Sequence, residues 1–311
     1  MNRGSLSLAR PADQPAVTPG RLGALLALLA CSFAGNHIAA RIAFDDGTGV
    51  LLAILCRSGI TFLVLAGLLL WQRQALGMPA GTRRWQLLLG LLIATQSLCL
   101  YSSVARLPVA LALLAFNTYP LWTALWARVV YGHRPEARMV RAMPVMLLGL
   151  ALALDVSGAA SGLGASGHWA QIGVGVAFAL TAAATFGLAL VLTQHETADL
   201  DGRLRTASTM GVVAVLALAG VASQGGFHLP VAAAGWWGLL GLTALYGTAF
   251  TIMFTVLPRL GVVGNSAIMN IEPIFALLLA WAILGQRIAP VQVAGGLLVV
   301  GTVVWLGTRK G

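Results

Sequence analysis

Long unbroken apolar runs, separated by short polar connections, make up most of the chain. They lie at 22–43, 49–70, 83–105, 108–131, 141–158, 169–193, 204–224, 235–257, 261–284 and 288–307. Each is close to the ~20 residues an α-helix needs to cross the hydrocarbon core of a bilayer. The runs are continuous rather than alternating. Lipid leaves no backbone group unpaired, so continuous runs favour helices over a barrel. The pattern predicts an all-α integral membrane protein with ten transmembrane helices. The connections are too short for a soluble catalytic domain; 194–203 is the longest, and the Gly/Ser-rich stretch 158–168 reads as the most flexible. Residues 1–21 are polar, hold Pro11, Pro15 and Pro19, and read as a disordered tail. Leu28 to Cys31 approaches a lipoprotein cleavage site, but the apolar run continues past it to Ala43, which favours a retained helix.

Composition agrees with this pattern. Hydrophobic residues are 59% and charged residues 9%, with a mean hydropathy of +0.88. A soluble domain carries roughly 25% charged residues, so soluble enzymes, nucleic-acid binders and secreted scaffolds are excluded. The net charge of +10 reads as a topology signal, because the arginines sit at the ends of the runs. Arg41, Arg106 and Arg287 fall on one side, and Arg57 and Arg128 lie inside runs. The rest of the nineteen basic residues fall on the other side, together with both termini. The positive-inside rule makes that side cytoplasmic, which gives a multi-pass protein with both termini in the cytoplasm. Cys31, Cys56 and Cys99 are isolated and form no CxxC pair. The five histidines have no metal-ligand spacing, so no metal and no cofactor are expected.

The chain also repeats itself. An offset of 153 residues pairs Arg106 with Arg259, Leu107 with Leu260, Asn117 with Asn270, Pro120 with Pro273, Gly132 with Gly285 and Arg134 with Arg287. The two halves, 22–158 and 169–311, each hold five runs. Five is odd, so the second half enters the membrane in the opposite direction to the first. Inverted repeats that exchange conformations give alternating access to a site near the midplane.

The segment Asn270, Glu272, Pro273, Phe275 running to Gly285, and its first-half copy Asn117, Pro120, Trp122 running to Gly132, resemble the repeat signature of the EamA family of the drug/metabolite transporter superfamily. Phe33 to Asn36 and Arg57 resemble that family as well. The likeness covers all ten runs. It implies a secondary transporter, and the aromatic amino-acid exporters of bacterial inner membranes are the nearest kind. The family often closes each signature with Gly-Glu, whereas here the endings are Gly132-His133 and Gly285-Gln286, so no role is carried over for that acid.

Polar residues inside the runs are the candidates for substrate binding or coupling. An ionised carboxylate or guanidinium at mid-membrane costs at least ~2.5–3.5 kcal/mol, so Glu272 and Arg57 must face protein or water. Glu272 reads as a proton-coupling or ammonium-binding acid, or as a structural acid beside Pro273. Arg57 can pair with Glu272, bind a substrate carboxylate, or cap carbonyls of a kinked neighbour. Asn117 and Asn270 stand three residues before Pro120 and Pro273, which are expected to kink their helices and act as hinges. The amides can satisfy freed carbonyls, line a cavity or bond between helices. Asn36, His37, Gln96, Tyr101, Tyr119, Trp122, Tyr246 and Phe250 complete the set. Tyr246, Phe250 and Phe254 form a stripe that serves either helix packing or a ligand wall. Together these suit small amphipathic metabolites: aromatic or other hydrophobic amino acids, and cationic drugs.

No GxxxxGK[ST] motif is present, so the energy source is a gradient or exchange. The expected partners are a small-molecule substrate, the lipid bilayer and protons, with no nucleic acid, for a monomer or weak dimer. The alternative is a membrane-embedded enzyme acting on a lipid or isoprenoid. It would need paired acids, an HExxH helix or a nucleophile motif, and Asp45-Asp46, the one acidic dyad, lies in an outer loop.

Overall fold

A computed structural model describes residues 19–73, 77–160, 162–255, 266–286 and 289–307. Among these residues every apolar run is helical. The helices are α1 (Pro19–Asp45), α2 (Val50–Trp71), α3 (Ala80–Val104), α4 (Val109–Phe116), α5 (Tyr119–Tyr131), α6 (Ala137–Ala153), α7 (Gly164–Glu196), α8 (Gly202–Ser223), α9 (Ala233–Thr255), α10 (Ser266–Leu284) and α11 (Pro290–Gly307). The tail read as disordered, residues 1–21, lies almost wholly outside the described residues.

Six stretches among the described residues are long and apolar enough to cross a membrane: Ala24–Asp45, Val50–Trp71, Gly81–Val104, Val109–Tyr131, Gly164–Glu196 and Gly202–Ser223. Of the other four runs, two give shorter apolar helices among the described residues, Glu272–Leu284 and Pro290–Leu306, and two are more polar. In α6, Arg138 and Arg141 stand within 17 residues, and α9 carries Trp236, Trp237 and several threonines. Large apolar side chains such as Leu63, Val215 and Leu278 are exposed, as lipid-facing positions of a membrane protein are.

Three expectations need correction. The run 108–131 is two helices, not one. Pro120 has no N–H to offer the Phe116 carbonyl, and the Asn117 amide Nδ2 donates to Leu113 O at 2.7 Å while the Thr118 hydroxyl donates to Ala115 O at 2.8 Å. The helix therefore ends one turn before the proline and restarts at Tyr119. Asn117 serves its own helix end rather than a neighbouring helix. Secondly, α7 starts at Gly164, inside the stretch read as flexible. There Asp155 accepts from Ala160 N at 3.2 Å, and His168 Nε2 bonds Leu154 O at 2.9 Å, fastening the turn to the helix. Thirdly, the expected long connection 194–203 shrinks to 197–201, because the Asp201 side chain caps α8 by accepting from Arg203 N and Leu204 N.

The packing repeats when the two halves are exchanged. At the 153-residue offset, α1, α2, α3, α4–α5 and α6 correspond to α7, α8, α9, α10 and α11. The principal contacts α1·α9 and α3·α7 then map onto each other, as do α3·α8 and α9·α2, while α2·α8 and α6·α11 map onto themselves. These self-mapping pairs are antiparallel. Gly220 approaches Leu51 and Gly211 approaches Phe62, so α8 runs against α2. Gly295, near the start of α11, meets Gly149, near the end of α6. Equivalent helices thus point in opposite directions, and the helices of each half pack mainly on helices of the other.

Close crossings depend on missing side chains. At α1·α9, a Cβ on Gly238 would sit 2.7 Å from Ala43 N and 2.8 Å from Ala39 O. The shortest helix, α4, is apolar all round, and all eight of its residues are buried, as expected for a helix enclosed by its neighbours.

Candidate functional site: a cavity between the two halves

Where α1, α2, α3, α4, α7, α8, α9 and α10 converge they leave a cavity of ≈ 230 Å³. One end is built by His37, Arg57, Gln96 and Glu272, and the other by Thr193, Arg205, Thr206 and Thr209. These last four lie at the end of α7 and the start of α8, among the ends richest in arginine. Aromatic rings form the walls. Phe33, Tyr246 and Phe250 pack on one another, with ring centroids 4.4–6.2 Å apart. Phe116 and Phe186, centroids 5.4 Å apart, form a second wall with Tyr119 behind them.

Two ionisable residues, Glu272 and Arg57, dominate the first of these ends. Glu272, 8% exposed, lies on α10 with its Oε1 3.6 Å from His37 Nε2 on α1. Arg57, 4% exposed, lies on α2. Its Nη2 donates to Ser97 Oγ at 2.7 Å, and the guanidinium sits 4.1 Å from the Tyr246 ring and 4.7 Å from the Tyr101 ring. A desolvated cation on an aromatic face gains ~2 kcal/mol or more. Two faces and a hydrogen bond are therefore comparable with the cost of placing the charge there. Among the described residues no carboxylate lies within 4.0 Å of Arg57. Pairing of Arg57 with Glu272, one of its possible roles, is replaced by a tyrosine sandwich, and His37 takes the place beside the acid. Among the described residues, Arg57 Nε, His37 Nδ1 and Asn36 Nδ2 are donor-capable atoms here with no hydrogen-bond partner. Such atoms are costly when left dry.

The sequence candidates divide by location. His37, Arg57, Gln96, Tyr246, Phe250 and Glu272 line the cavity. Tyr101 and Asn36 stand behind it, the tyrosine Oη donating to Asn36 Oδ1 at 2.8 Å. Asn117, Tyr119, Pro120 and Trp122 do not line it. Tyr119 and Pro120 face a separate cleft, and Trp122 packs against Gly187 of α7. Pro273 lies within an unbroken α10. The side chains of Asn270 and Phe254 lie outside the described residues. Sequence reasoning missed Arg205, Thr206 and Thr209, which read as the ordinary start of a helix. Their neighbour Gln86 gave one unused signal: a glutamine in an apolar run, here bonded to Thr209 Oγ1 at 2.6 Å.

The comparisons match the repeat as well as the fold. The EamA-like transporter family pattern matches twice, over residues 21–154 and 173–308. No curated protein sequence matches the chain. Among solved structures, one titled only as the crystal structure of a protein superposes with a TM-score of 0.61 at 16% identity, covering 94% of this chain and 99% of its own. At that identity the likeness is one of fold.

Proposed function

Because the chain belongs to the EamA-like transporter family, whose members are membrane transporters and not enzymes, we propose that it is a secondary exporter of small amphipathic metabolites working by alternating access. In this reading all ten runs cross a bacterial inner membrane, with both termini cytoplasmic. The substrate occupies the cavity between the halves. Aromatic or other hydrophobic amino acids fit its chemistry: a fixed cation at Arg57, an acid at Glu272 held apart from it, and aromatic walls between. A substrate carboxylate would meet Arg57, and an ammonium or a proton would meet the Glu272–His37 pair. Cationic drugs are a second class that Glu272 and the rings would accept.

The observation that carries this reading is that equivalent parts of the two halves adopt different forms. The Asn-x-x-Pro segment breaks the helix at Asn117–Thr118, whereas its copy at 270–273 runs unbroken through α10. Pro120, Ala124 and Met139 line a cleft of ≈ 400 Å³, whereas their equivalents Pro273, Leu277 and Gln292 line one of ≈ 30 Å³. Exchanging the two forms would move the opening from the Arg205 end to the opposite end. At that opposite end, Arg41 Nη1 now bonds Val104 O at 3.2 Å and Leu107 O at 3.1 Å, and Val109 N bonds Gln286 Oε1 at 3.1 Å. The test is counterflow in proteoliposomes. Labelled phenylalanine or a labelled aromatic cation accumulates against excess unlabelled substrate if the reading holds. Absence of counterflow for both classes, with folded protein in the vesicles, overturns it.

A further inference from the structure

The larger of the two equivalent clefts lies outside the central cavity, between α5, α6 and α11. One wall is the α5 face of Pro120, Thr123 and Ala127; the other is formed by Met139, Val303 and Leu306. Its inner end is Tyr119, whose ring packs on Phe186 with centroids 5.2 Å apart, and Leu190 borders both this cleft and the central cavity. Its mouth is His133, Arg134, Pro135 and Glu136. From Tyr119 to Tyr131 the helix rises ~18 Å, close to the ~15 Å hydrocarbon depth of one bilayer leaflet. The cleft exists because α5 hardly touches α6: the break at Asn117–Thr118 carries α5 towards α7, away from the α6–α11 pair.

We propose that this cleft is a binding site for one anionic phospholipid of the arginine-rich leaflet, with an acyl chain between α5 and α11 and the phosphate at Arg134 and His133. Three features select this occupant. The walls are mostly apolar, so an acyl chain suits the cleft better than water. The depth matches a leaflet. The mouth carries Arg134, and α6 continues with Arg138 and Arg141 in its first turns; basic pockets between transmembrane helices at this level attract anionic head groups. Glu136 also stands at the mouth and opposes the phosphate. Arg141 faces a neighbouring cleft of α6 and α11, so the positive balance of formal charge at this mouth comes from Arg134 and Arg138 against Glu136. The site accompanies the break in α4–α5, which turns α5 towards α7 and away from α6. A bound chain therefore favours the present state over its exchanged counterpart, whatever the transported substrate is.

The experiment reconstitutes the full chain in vesicles of equal parts phosphatidylglycerol and phosphatidylcholine. After mild detergent extraction, native mass spectrometry counts the retained lipids. The wild type retains phosphatidylglycerol in preference to phosphatidylcholine. Arg134→Ala lowers that preference about fivefold, and Ala127→Trp, which fills the cleft, removes both lipids. Leu306→Trp fills the cleft from the opposite wall and replaces Ala127→Trp if that variant does not fold. Equal retention of the two lipids by the wild type, or retention unchanged by Arg134→Ala or by the folded filling variant, overturns the proposal.

Discussion

His37 and Glu272 come from different halves of the chain and meet side to side, Nε2 to Oε1 at 3.6 Å. One is on α1 and the other on α10, two helices that pack closely. A movement of α1 against α10 would change this contact. It brings two proton-accepting groups together in a cavity walled largely by aromatic rings.

Proton coupling through this pair predicts a split phenotype. Glu272→Gln keeps the shape of the cavity but removes the acid. Uptake driven by an imposed pH gradient should fall to background, while counterflow without a gradient stays within about threefold of wild type. Loss of both activities in a folded variant would assign Glu272 to substrate binding instead.

Arg57 should prove dispensable for stability and necessary for transport. The cost of burying the charge and the gain from two rings and Ser97 are comparable, so an apolar side chain of similar length should change stability little. Arg57→Met should therefore melt in detergent no more than a few degrees below wild type, while its affinity for a carboxylate substrate drops at least about tenfold, the equivalent of ~1.4 kcal/mol. Binding measured against the amide of the same amino acid should change far less.

The helix break is itself testable. Pro120→Ala restores an N–H that can reach Phe116 O, and an interior proline costs a helix ~3 kcal/mol. The variant should favour a continuous α4–α5 like the present α10. Maleimide labelling of Thr193→Cys at the cavity rim, with Cys31, Cys56 and Cys99 replaced, should then slow by about tenfold for a shift of ~1.4 kcal/mol between the two states. Unchanged labelling would mean that the break does not control access.

Two glycines give a packing test with an internal control. A Cβ on Gly238 would strike the α1 backbone at 2.7 and 2.8 Å, whereas one on Gly301 meets nothing within 4 Å. Gly238→Val should destabilise the protein by ~1–3 kcal/mol or more, and Gly301→Ala should leave thermal stability in detergent within error.

Asp201 links α8 to pH. Its side-chain hydrogen bond from Arg203 holds the carboxyl below the usual carboxylate range. A depressed native value means that stability is present above the unfolded value and is lost as pH falls through the folded one. Asp201→Ala should cost ~1 kcal/mol at neutral pH, as for other N-caps, and should remove the acid dependence contributed by this residue. Melting curves of both proteins at neutral and acidic pH measure this.

Apolar run length and the 153-residue echo were enough to read an all-helical membrane chain with a two-repeat family pattern, because length and repetition are local properties of a chain. The expected count of ten helices did not hold, since run 108–131 holds two. The same logic found Glu272, Arg57, His37 and Gln96, since a polar group in an apolar run is conspicuous. Which of them meet was not legible. In a soluble helix, polarity marks the outer face. In a membrane helix both the lipid face and the protein face are apolar, so nothing in α1 announced that His37 faces Glu272, or in α2 that Arg57 lies between Tyr101 and Tyr246. The clearest division is at the repeated motif. Asn117-x-x-Pro120 and Asn270-x-x-Pro273 share their pattern, yet one breaks its helix and the other does not. The proline makes a break possible in either place by removing a donor; the packing around each copy decides where it occurs.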